Sequence, residues 1–235
     1  MQNLNNNNKI SLAAIFIFTI FLAIISGFAF LIEIKPFLAS NTSPTARFNI
    51  LEKNNVTASL SLSANRLKLN NCLEALAGPI GMAQPTSRRK NVLTSCQKLA
   101  RNITKSMPTH AFAYYIGAFA SAELRQYETF NFQVVASQKT APNEQWLAEL
   151  RVDLVEDKRE YINTQTNLSQ NKDLTLLAKS AKGVKSIANR YVKQPKFRER
   201  ITSLVETLSP NEQREFIRNV KTAAREISIE RGGLQ

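Results

Sequence analysis

The sequence predicts an all-α protein in which one N-terminal transmembrane helix precedes an array of helical hairpins. Three observations predict it. An uncharged run of 23 residues, 10–32, lies near the start of the chain. Only 7 of 235 residues are Gly, about 3% against the roughly 7% of average usage, which disfavours turn-dense β-sandwiches and Gly-rich phosphate loops. From about residue 57 onward, apolar residues recur at helical spacing between prolines set 34 residues apart.

The first element is the anchor, residues 1–35 with its tail. At about 1.5 Å per residue the apolar run is long enough to cross a hydrocarbon core of roughly 30 Å. Lys9 precedes the run, and Glu33, Lys35 and Pro36 close it. A cleaved signal peptide would carry a shorter apolar stretch, about 7–15 residues, before an A-x-A-like site. Phe, Ile and Leu on every face argue against a soluble amphipathic helix. Ala23 and Gly27 form a small-xxx-small pair, with Ser26 and Ala29 nearby, that suits close approach of another span. Residues 36–56 are polar, contain Pro36 and Pro44, and read as a linker.

Residues 57–107 read as a helical hairpin. Leu62, Leu69, Cys72, Leu73 and Leu76 form one stripe, and Gly78-Pro79 stops that helix. Pro85-Thr86 opens the next, with Val92, Leu93, Cys96, Leu99 and Ile103 as its stripe. The only two cysteines, Cys72 and Cys96, thus sit on facing helices and are expected to form a disulfide, the alternative being two buried thiols. Such a bridge stabilises by about 3 kcal/mol and persists in an oxidising space. Counting flanking bases (Lys9 against Lys35, Arg47 and Lys53) would keep the domain cytoplasmic, but long domains translocate largely regardless of that rule. The cysteines therefore favour an extracytoplasmic domain behind a single pass, which for a bacterial inner membrane is the periplasmic side.

Residues 108–235 carry the repeat. Pro108, Pro142 and Pro210 stand one and two multiples of 34 apart, and Pro142-Asn143-Glu144-Gln145 matches Pro210-Asn211-Glu212-Gln213. Stacking the units aligns Ala113, Leu147 and Ala181; Ile116, Leu150 and Val184; Ala120, Leu154 and Ala188; and Tyr127 with Tyr161. Ser209-Pro210-Asn211-Glu212 is a capping box, and the helix it opens, running to about Ile229, is expected to cap the array without a partner helix. Three apolar columns between prolines 34 apart resemble tetratricopeptide repeats. The resemblance implies paired antiparallel helices, each pair stacking on its neighbour. It is degenerate. The small residue at the repeat's eighth position is Gly117 once, then Arg151 and Lys185, and the repeat's early Trp is out of register at Trp146.

The chemistry classes are narrowed by composition. One His and two Cys cannot supply a multi-His or four-ligand zinc centre, no metal or cofactor is expected, and no nucleotide-binding or nucleophile motif is present. His110, near a helix start, reads as a surface or capping residue. The acids of the middle unit, among them Glu144, Glu149 and Glu156, offer the one opening for a carbohydrate-active enzyme, but they interleave with bases as on a solvated face. The net charge of +13 gathers in two blocks: 78–122, with six bases and no acid, and 179–200, with eight bases and one acid. Available partners are an inner-membrane protein, anionic lipid headgroups or an acidic glycan. Nucleic acid is disfavoured, for aromatics are not interleaved with the bases beyond Tyr191 and Phe197.

The stretch from Pro142 to Val152, PNEQWLAELRV, resembles small membrane-anchored repeat proteins of bacterial envelope-polysaccharide assembly. That resemblance implies a non-enzymatic accessory scaffold or adaptor. Tyr114, Lys179, Lys182 and Lys185 are the candidate groove residues, and Trp146 is expected to pack between units. A structural subunit held in a complex through its transmembrane helix is the alternative, beside the enzyme.

Overall fold

The computed structural model describes residues 2–39, 42–53 and 56–232, and every regular element among them is helical. Residues 1, 40, 41, 54, 55 and 233–235, which belong to the expected anchor, linker and capping segment, lie outside the described residues.

Helix α1, Gln2–Ala39, contains a stretch, Leu12–Leu38, of mean hydropathy 2.8 that is long and apolar enough to cross a membrane. Its large apolar side chains stay exposed, among them Phe18 at 60% and Phe28 at 68%, as a lipid-facing helix requires. The helix continues past the expected end at residue 35, taking Pro36 into its last turns.

The expected linker differs from what the chain builds. Within it lies α2, Pro44–Glu52, started by the Ser43 hydroxyl, which accepts the Ala46 N–H, and by Pro44 in the first turn, where a missing N–H costs nothing. Phe48 and Leu51 point inward, so this segment is part of the core and not a free tether. Its polar composition hid two inward residues three apart.

Helices α3, Leu62–Ala77, and α5, Thr86–Ser106, form the expected hairpin, with one short turn of helix, α4, Pro79–Met82, between them. Cys72 and Cys96 are disulfide-bonded, their Cα atoms 5.8 Å apart. The remainder is α6, Ala111–Glu123; α7, Tyr127–Thr140; α8, Gln145–Asp157; α9, Thr164–Ala178; α10, Ala181–Lys193; α11, Pro195–Val205; and α12, Pro210–Gly232. Three pairs and a final helix thus occupy the segments bounded by the prolines. The third pair enters two residues late: α6 and α8 begin three residues after Pro108 and Pro142, α10 five after Leu176. Ala181 is accordingly exposed, whereas Ala113 and Leu147 are buried.

Two apolar clusters divide the core. The first joins α2, α3 and α5–α8; the second joins α8–α12. Helix α8 serves both: Leu147 and Leu154, seven apart, face the first, while Ala148 and Val152, four apart, face the second. The final helix is not free of partners. It packs on α10 and α11, with Phe216 buried edge-on against Tyr191 at 5.6 Å.

Candidate functional site

The surface built by α6–α12 is the candidate interaction site, and its side chains divide into those consumed by packing and those left outward. Trp146 belongs to the first kind. Starting α8, it meets Phe112 of α6 edge-to-face at 5.3 Å, lies under the Arg66 guanidinium of α3 at 5.0 Å, and donates its indole N–H to Glu144 at 2.9 Å. Tyr114, on α6, is half-buried beside the fully packed Tyr115, whose phenol burial pushes upward from its ordinary pKa.

The three lysines of α10 and its entry are not equivalent. Lys179 pairs with Glu212 at 3.2 Å and Lys185 with Glu226 at 3.0 Å, both across to α12. Lys182 is exposed, with no hydrogen bond or ion pair to a described residue. The final helix therefore covers part of the face that carries them. Its N-terminus is held by the Ser209–Glu212 capping box: the carboxylate accepts the Ser209 N–H at 2.9 Å and its hydroxyl at 2.7 Å.

Several acids of the middle unit also have partners. Glu156 is bound by Arg159, Arg200 and Gln170; Asp153 and Asp157 both take Arg190, at 3.2 and 3.1 Å; Glu149 accepts from Gln145 at 2.9 Å. Arginines of α10 and α11 thus bind carboxylates of α8, so much of the charge blocking visible in the sequence is pairing between neighbouring units. Among the described residues no group of three or more His, Cys, Asp or Glu is placed to hold a metal ion.

Where the loops of the first two pairs meet, a polar cleft of about 850 Å³ opens between the α6–α7 turn and the segment 156–161. Tyr127 and Tyr161 stack in it at 3.8 Å, their rings within 1° of parallel. The cause is one side chain: Asn131 donates to the carbonyls of both tyrosines, at 2.7 and 2.9 Å, and accepts the Asn163 N–H. Arg125, in the turn, is the described non-Gly residue with positive φ, at 59°. The stack had a signal in the sequence, since the two tyrosines are 34 apart; the asparagine had none.

One buried pair was not foreseen. Arg151 and Asp173 form a two-pronged ion pair, both N–H···O distances 2.7 Å, with each side chain 1% exposed. The guanidinium also donates to Ser137 and to the Ala141 carbonyl, joining α7, α8 and α9. Burial raises the Asp173 carboxyl from its ordinary value, and Arg151 opposes that rise. His110 is likewise inside: its Nδ1 accepts the Ala113 N–H at 3.2 Å as the cap of α6. It is a capping residue, as expected, but is not on the surface.

Compared with family models, curated proteins and solved structures, the chain finds no match.

Proposed function

We propose that this chain is a non-enzymatic, membrane-anchored scaffold or adaptor of the bacterial envelope, holding its helical array on the periplasmic side of the inner membrane. The array docks a protein partner of an assembly machine, with surface polysaccharide as the product class that the short sequence resemblance suggests. The observation that carries the reading is the continuous stack from α6 to α12. Its two clusters meet in α8, and Asp153, Asp157 and Glu156 of the middle unit are engaged by Arg190 and Arg200 of the next, which supports reading the acidic run as inter-unit pairing. The Cys72–Cys96 bridge supports the oxidising side.

The test is charge reversal at Lys182, whose side chain makes no hydrogen bond or ion pair to a described residue. Lys182→Glu is expected to reduce partner co-purification strongly at unchanged melting temperature, with Lys182→Arg retaining it. Undiminished co-purification would remove the proposed docking face. Orientation has its own check: free thiols at both Cys72 and Cys96 in rapidly quenched cells would contradict the periplasmic placement.

A second reading has one observation in its favour. Ala23 and Gly27 stand four apart on α1, a small-residue pair of the kind that lets another span approach closely. Replacing residues 10–32 with an unrelated anchor separates the two: a scaffold keeps its partner, a subunit packed through α1 loses it.

A further inference from the structure

Where α1 leaves the apolar stretch, a cleft of about 440 Å³ opens between its end and helices α2 and α3. Pro36, Ile50, Leu51 and Val56 give it an apolar wall, and Lys35, Arg47 and Lys68 give it cations; among the described residues no acid lines it, and the nearby Glu33 carboxylate acts on Lys68 from outside the lining. The depth of this cleft follows from the helix. If hydrocarbon begins near Leu12, a core of roughly 30 Å spends about 20 residues at 1.5 Å each, ending near residue 32. Lys35 and Pro36 then stand about one turn beyond it, in the headgroup layer.

Two features hold the soluble part at that level. The Glu33 carboxylate accepts the N–H groups of Leu60 and Ser61, at 2.6 and 3.2 Å, pinning the entry of α3 to the end of the span. That entry leaves Leu60 74% and Leu62 62% exposed, an arrangement suited to a bilayer interface and costly in water. Inside the cleft, Lys68 donates to the Thr57 carbonyl at 2.8 Å and to the Ser59 hydroxyl at 2.6 Å. An ammonium has three N–H donors, so one remains. Arg47 is engaged by Glu74 at 2.8 Å and contributes wall, not a headgroup ligand.

We infer that this cleft seats one anionic phospholipid, with its phosphate between Lys35 and Lys68 and an acyl chain along Pro36, Ile50, Leu51 and Val56. The charge selects an anion, the apolar wall selects a chain attached to it, and the depth selects the lipid over a soluble ligand. The inference rests on reading α1 as a membrane span. Its consequence is orientational: a lipid held there, with Leu60 and Leu62 at the interface, fixes the array relative to the bilayer instead of letting it swing on its anchor.

The test uses the full-length chain purified in detergent and titrated with phosphatidylglycerol or chain-matched phosphatidylcholine under native mass spectrometry. One phosphatidylglycerol is expected to be retained about tenfold more tightly than phosphatidylcholine. Lys35→Gln, which removes a headgroup-level charge, and Ile50→Trp, which fills the wall, should each cut that retention by about tenfold while leaving the melting temperature unchanged. Equal retention of the two lipids, or phosphatidylglycerol binding unaffected by both substitutions, would overturn the site. Release of the chain from membranes by alkaline carbonate would instead overturn the anchor itself, so the two failures are distinguishable.

Discussion

The first helices of the first and second pairs, α6 and α8, begin 34 residues apart, while α9 begins 37 after α7, and the two pairs are built differently. At the position where α6 has Gly117, α8 has Arg151. A Cβ on Gly117 would come within 2.5 Å of the Gln133 side chain, so α6 and α7 approach because nothing stands between them. Arg151 fills its place and is answered by Asp173 from α9. The caps differ in the same way. His110 accepts the Ala113 N–H, whereas Glu144, 34 residues on, makes no cap hydrogen bond and turns to Trp146. One architecture therefore tolerates either an absent side chain or a fully paired one, and the two solutions should fail differently.

The largest failure is expected in the second pair. Asp173→Ala strands a buried guanidinium, at a cost of about 3–5 kcal/mol in urea unfolding, while Arg151→Met with Asp173→Leu should recover most of that loss. If the single change costs under about 1 kcal/mol, the pair is not what holds α8 to α9. Next comes the staple beneath the first pair. Cys72→Ala with Cys96→Ala should cost about 3 kcal/mol by freeing the unfolded chain, and thermal melts with and without reductant measure it. Gly117→Leu forces Gln133 and α7 outward, an overpacking loss of about 1–3 kcal/mol, read by the same melts; Gly117→Ala should cost less, because Gln133 is flexible.

The smallest effect is a pH dependence confined to the first pair. Burial, assisted by Arg66, lowers the His110 pKa, and protonation would take the lone pair that Nδ1 offers Ala113. A base depressed on folding binds fewer protons folded than unfolded. Its contribution is whole above the unfolded value near 6.5 and is lost as pH falls. Stability should therefore decline from pH 7 to 5, and more weakly in His110→Asn, which still caps. Identical pH profiles would show that His110 contributes nothing there.

Much of this fold was legible because its signals are local. Apolar stripes and the Ser209 capping box lie within single helices, and those helices are present. The cysteines were legible because only one pairing exists. The segment 44–52 was not: two inward residues on a polar helix leave too little periodicity to read. Arg151 appeared only as a departure from a repeat pattern, since its partner is 22 residues away and no spacing rule joins them. The α10 lysines looked like an open basic face because nothing in their own helix says that α12 returns to pair with two of them.

The docking role rests on Lys182 facing a partner. A photo-crosslinking residue placed there in intact cells should yield a discrete adduct with an inner-membrane assembly protein. The same probe at exposed Lys172 on α9 should yield none. No adduct from position 182, or the same adducts from both positions, would contradict the account.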